Sequence, residues 1–138
     1  MNSFEAYVLT PEGAIFRETV TGVKMPGALG SFEVKPNHAS IISTLVPGEL
    51  TVRKTDGETL KFAVSGGLVE MNDNVLNLLA EAAEPIEEID VERAKESKKR
   101  AKERLSDLSK DIDRPRAEKS LSRAENRIKL FNKNINVV

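Results

Sequence analysis

All eight glycines of this 138-residue chain lie at or before Gly67, and only Pro85 and Pro115 of its six prolines come later. Glycine supplies turns and weakens helices, and proline interrupts them. The chain therefore divides into a turn-rich part and a part free to form long helices, with the change near Pro85. Charge divides at the same place. Residues 1–84 carry 11 acidic and 6 basic side chains, a net of −5, whereas residues 85–138 carry 11 acidic and 15 basic, a net of +4. Val, Ile, Leu, Met and Phe fill 28 of the first 84 positions but only 13 of the last 54, so the larger apolar core belongs to the first part. The expected organisation is α+β: a β domain over 1–84, a junction over 85–89 and a helical hairpin over 90–138.

In the first part, short runs of strand-forming residues alternate with turn residues. Residues 4–9 lead into Thr10-Pro11-Glu12-Gly13, and residues 20–25 end at Pro26-Gly27. Residues 50–54 and 60–65 flank Asp56-Gly57, a strong hairpin signal. Gly66-Gly67 reads as a turn into 68–71, and Asn72-Asp73-Asn74 as a turn into 75–79. Strands at this spacing predict an all-β sandwich or barrel, taken here as a flattened all-β sandwich.

In the second part, Asp90 is a suitable N-cap, and Val91, Ala94, Ala101, Leu105, Leu108 and Ile112 recur at helical period. Asp113 and Pro115 mark a second start, followed by Ala117, Leu121, Ala124, Ile128 and Phe131. The two helices join near 109–114. Both stripes are thin and mix alanine with larger residues, which predicts a close antiparallel pair that is easily rearranged. Arg93 and Arg100 share one helix face; Arg116, Arg123 and Arg127 share another. The guanidinium fork suits carboxylate or phosphate. The residues alone leave three partners open: an acidic protein surface, a nucleotide phosphate chain or a nucleic-acid backbone. A solvated structural face is the plain alternative.

Several classes are disfavoured. With no cysteine and one histidine, the chain lacks thiolate chemistry and any multi-histidine metal site, so no metal is expected. His38 reads as a loop residue bonded to backbone or a partner. Gly66-Gly67 lacks the lysine and following helix of a phosphate loop. No nucleophile–base pair or carboxylate dyad announces an active site, so no catalytic residue is assigned and no enzyme is expected. One tyrosine and no tryptophan, beside an acidic first part, argue against nucleic acid. No apolar run approaches the ~20 residues of a membrane helix, and the N-terminus lacks a signal-peptide pattern.

Taken in order, Val8-Leu9-Thr10-Pro11-Glu12-Gly13, Pro36-Asn37-His38, Leu45-Val46-Pro47-Gly48, Ala63-Val64-Ser65-Gly66-Gly67-Leu68-Val69-Glu70, Ala82-Ala83-Glu84 and Ile89-Asp90-Val91-Glu92-Arg93-Ala94 form a pattern along nearly the whole chain. The pattern resembles the epsilon subunit of the rotary F-type ATP synthase of bacteria. That resemblance implies a non-catalytic central-stalk subunit, peripheral on the cytoplasmic side of the cell membrane, in an enzyme that couples proton transport to ATP synthesis. It implies the gamma subunit and the ring of c subunits as partners of the sandwich. It also implies the catalytic beta subunit as partner of an extended hairpin that inhibits ATP hydrolysis. Where many relatives carry Gly-Glu-Leu-Gly, this chain has Gly27-Ala28-Leu29-Gly30, so a ring contact there falls to the backbone and Leu29. No cofactor is implied. ATP is implied as a regulatory ligand through an Ile/Leu-Asp-x-x-Arg-Ala motif, with Glu84, Asp90, Arg93, Arg100, Arg123 and Arg127 as the nucleotide-binding residues.

Overall fold

Burial alternates along the first strand: Phe4, Ala6 and Val8 point inward, Glu5 is exposed and Tyr7 is half-buried. This period of two marks a sheet with one face in a core. A computed structural model describes residues 2–108 and 111–136. Two units are distinct, Met1–Pro85 and Ile86–Val138.

The first unit contains β1 (Phe4–Thr10), β2 (Gly13–Gly27), β3 (Gly30–Val34), β4 (Ile41–Lys54), β5 (Thr59–Asn72), β6 (Val75–Ala80) and β7 (Ala83–Pro85). Strand order is β1-β6-β5-β4-β2-β3, with β7 on β5, and β1 also pairs with β2, so the sheet closes on itself. The β1–β6 pairing is parallel and the others are antiparallel. The result is the expected sandwich in barrel-like form. Val8, Val20, Leu50, Val52, Met71 and Leu78 are fully buried inside it, and Phe16 meets Phe62 edge-to-face at 6.3 Å between ring centres.

Three strands are longer than the local patterns suggest. Residues 20–25 are part of the 15-residue β2, and 50–54 close the 14-residue β4. Residues 60–65 and 68–71 are one strand, β5, so Gly66-Gly67 is not a turn. Both glycines have positive φ, +111° and +149°. Between Val64 and Gly67, β5 passes from pairing with β7 to pairing with β6. A Cβ on Gly67 would lie 2.0 Å from the Leu79 carbonyl oxygen. The pair lets one strand bend and serve two neighbours. The Asp56-Gly57 hairpin is present, closed by the Lys54 amide donating to the Glu58 carbonyl at 2.8 Å. Strand β3 carried no local signal of its own.

The second unit opens with a 3₁₀ turn, Ile86–Glu88, followed by α1 (Val91–Ser106) and α2 (Arg114–Asn136). Asp90 caps α1 by accepting from the Arg93 amide at 3.1 Å, and Asp113 caps α2 by accepting from the Arg116 amide at 3.1 Å. Pro115 sits in the first turn of α2, where its missing N–H leaves no helical bond unmade. Arg114 donates to the carbonyls of Leu105 and Asp107, both at 2.9 Å, and so satisfies the end of α1. Four alanines, Ala94, Ala101, Ala117 and Ala124, are buried between the helices, together with Leu130 further along α2. Leu108 departs from the expected stripe: α1 ends at Ser106, and Leu108 is exposed. Of the expected connection, Ser109 and Lys110 lie outside the described residues.

Candidate functional site

The alanine seam determines what lies beside it. On α1, Ser97, Arg100, Ala101 and Arg104 are spaced 3, 1 and 3 apart; on α2, Ser120, Arg123, Ala124 and Arg127 repeat that spacing. These eight side chains line a groove of about 280 Å³ on the hairpin. Among the described residues, no carboxylate lines it. Arg100 and Arg104 are exposed, Arg123 and Arg127 half-buried, and Arg100 donates to Ser97 Oγ at 3.3 Å. Lys98 faces Glu125 across the helices at 3.9 Å, which fixes the antiparallel register. Four guanidinium groups on so small a surface repel one another, and an anion with several oxygens relieves that repulsion.

Of the six nucleotide-binding residues expected from sequence, Arg100, Arg123 and Arg127 come together in this groove. Asp90 and Arg93 stand at the start of α1, outside the groove lining, with Asp90 engaged as the cap. Glu84 is half-buried in β7 of the first unit, opposite Ala63 of β5. Arg116 lies in the first turn of α2, also outside the lining. Arg104 was missed. An internal repeat would have found it: residues 89–104 and 112–127 agree at Ile, Asp, Arg, Ala, Ser, Arg, Ala and Arg, offset by 23 positions. Arg104 is thus the counterpart of Arg127. The repeat extends to geometry, since the Ala94 and Ala117 amides donate to the Asp90 and Asp113 carbonyls at 3.0 Å each.

On the first unit, apolar side chains also face outward. Leu68 pairs with Leu79 and with Thr44 in register, and Ile42 stands two residues before Thr44 on the same face. Leu68, Leu79 and Ile42 are 43, 49 and 69% exposed, more than an isolated surface leucine would require explaining. At the β2–β3 turn the Ala28 amide donates to the Thr44 carbonyl at 3.0 Å, and Leu29 stands wholly in solvent. His38 is a loop residue with ring Nδ1 2.8 Å from the Ala39 carbonyl oxygen.

Residues 3–86 match the family described as ATP synthase, delta/epsilon chain, beta-sandwich domain, and residues 87–132 match its long alpha-helix domain. The chain belongs to the ATP synthase delta/epsilon family. Its epsilon relatives include the ATP synthase epsilon chain of Protochlamydia amoebophila, 48% identical over 98 residues, covering 71% of this chain and 67% of that one. The epsilon chain of Pelotomaculum thermopropionicum is 43% identical over 99 residues, covering 72% and 73%. These relatives support an epsilon subunit of the bacterial F-type enzyme. A chain in the Euglena gracilis mitochondrial ATP synthase, in its OSCP/F1/c-ring assembly, shares the fold at a TM-score of 0.79 and 23% identity, over 91% of this chain and 79% of that one. Among the described residues, no helix of this epsilon subunit is long and apolar enough to cross a membrane.

Proposed function

We propose that this central-stalk subunit joins the rotor through its first unit and regulates ATP hydrolysis through its hairpin, with ATP as the signal. The observation that carries the regulatory half is the groove, where arginines from both helices converge and, among the described residues, no carboxylate joins the lining. A triphosphate neutralises that convergence only while the helices are paired, so ATP favours the folded hairpin. By linkage it shifts the population by its differential affinity for that state and no more. When ATP falls, the hairpin opens, and its basic faces, Arg116, Arg123 and Arg127 among them, meet an acidic segment of the catalytic beta subunit and arrest hydrolysis.

For the first unit, the outward row of Ile42, Leu68 and Leu79 supports docking on the gamma subunit, and the exposed Leu29 supports a backbone-and-leucine contact with the c ring. The Euglena gracilis neighbour comes from an assembly that contains F1 and the c ring, which agrees with both partnerships. On this reading the subunit is peripheral, on the cytoplasmic side of the membrane, and has no reaction of its own.

Calorimetry on the whole chain tests the signal: ATP binds one to one, and Arg123→Ala and Arg127→Ala each abolish the heat. Hydrolysis by the assembled enzyme tests the brake. The triple change of Arg116, Arg123 and Arg127 to alanine weakens inhibition and reduces its salt dependence. Full inhibition by that triple variant at low and high salt refutes the brake, and the absence of heat at millimolar ATP refutes the sensor.

A further inference from the structure

The 23-residue repeat makes the two walls of the groove equivalent, and that equivalence says what the groove reads. Two antiparallel helices bearing the same pattern are related by a two-fold axis across their seam. With Lys98 opposite Glu125, Arg100 falls level with Arg123 near that axis. Ser97 then falls level with Arg127 at one end, and Arg104 with Ser120 at the other. Each end offers one hydroxyl and one guanidinium, and the centre offers two guanidinium groups. From Ser97 to Arg104 the groove runs about 10 Å along the helix axis. One phosphate cannot touch both ends of such a row. A short linear chain of phosphates can.

We propose that the groove is a site for linear polyphosphate, in which Arg104 with Ser120 does at one end what Arg127 with Ser97 does at the other. This rests on the ATP reading of the same groove and extends it: the phosphate chain itself is the recognised element, and Arg104 is a binding residue equal in weight to Arg127. The lining carries four arginines, whose guanidinium groups only donate, two serines, and two alanines whose small size leaves the floor open. Residues that differ between the repeats, such as Lys99 and Ser122 or Lys102 and Glu125, lie off the groove and give it no common chemistry.

The test is calorimetry on the whole chain with orthophosphate, pyrophosphate, inorganic tripolyphosphate and ATP, each with the fold checked by circular dichroism. Affinity rises along the inorganic series, tripolyphosphate binds one to one, and it competes with ATP. Arg104→Gln and Arg127→Gln each weaken tripolyphosphate by about tenfold or more, as expected for loss of a charge-assisted pair. Arg104→Lys restores part of the loss. Lys99→Gln and Lys102→Gln leave binding unchanged. ATP binding without tripolyphosphate binding overturns this inference and leaves the sensor standing; tripolyphosphate binding without ATP binding upholds the inference and removes the sensor. Equal losses in the lysine variants reduce the groove to general basic charge and overturn it. So does an Arg104→Gln variant that binds like the parent while Arg127→Gln does not.

Discussion

The two units bury different kinds of side chain. The closed sheet holds Val, Leu, Met and Phe from strands distant in sequence, each touching several others, whereas the hairpin seam is closed largely by four alanines. A buried leucine contributes roughly 1.5–3 kcal/mol on transfer from water, and an alanine methyl far less. The sheet unit is therefore held by burial, while the hairpin is held by helix propensity, caps and a tight but shallow seam. A fixed part suits permanent attachment and a marginal part suits rearrangement. The contrast is open to direct attack, because Tyr7, the only tyrosine in a chain without tryptophan, lies in β1 and reports on the sheet alone, while the far-ultraviolet helical signal reports on the hairpin.

The largest expected effect is in the sheet. Leu50→Ala opens a cavity in the closed core and costs about 3 kcal/mol, read as a lower urea midpoint for Tyr7 fluorescence. A midpoint that does not move would show that the sheet is no better packed than the hairpin. Next comes the seam. Ala124→Leu forces the helices apart and costs about 2 kcal/mol, seen in earlier loss of helical signal with the Tyr7 transition unchanged. Smaller still are the caps. Asp90→Ala and Asp113→Ala each cost about 1 kcal/mol, and their near equality sharpens the comparison by showing that the hairpin is two copies of one element. Clearly unequal losses would break that equivalence.

The smallest effect concerns the charge on the sheet's surface. Lys54 is held above the usual lysine pKa chiefly by Glu18, against an opposing desolvation, with Glu58 and Asp56 adding to the rise. A raised pKa in the folded state contributes stability that is complete below the unfolded value and is lost as pH rises through the folded one. Lys54→Met thus lowers the melting temperature only slightly at neutral pH, and parent and variant converge in alkali. A gap that widens with pH would contradict this sign.

Much of the fold was legible because its signals are local. Asp56-Gly57 specifies a hairpin whatever surrounds it, and Asp90, Asp113 and Pro115 specify helix starts through their own side chains. The long strands were misread because glycine serves both turns and bends, and Gly66-Gly67 becomes a bend only where the Leu79 backbone crosses it. Leu108 fitted the helical period but lies past a helix end set by Arg114, seven residues from the Asp107 carbonyl it binds. In the groove, face spacing was enough to pair Arg123 with Arg127. Arg104 needed the comparison of the two helices with each other, because nothing within α1 alone distinguishes it from the other basic residues around it.

Closure of the sheet through the β1–β2 pairing has a further consequence, for the life of the subunit before assembly. A sheet with leucines on its outer face risks catching copies of itself, most dangerously by adding strands to open margins and growing fibres. Two of the outer strands, β3 and β7, are only five and three residues long. Neither is a template long enough to propagate cross-β stacking. The leucines are presented broadside on the barrel wall, where face-to-face contact is reversible and limited in extent. Along those two edges an unassembled copy offers a fibre little to grow on.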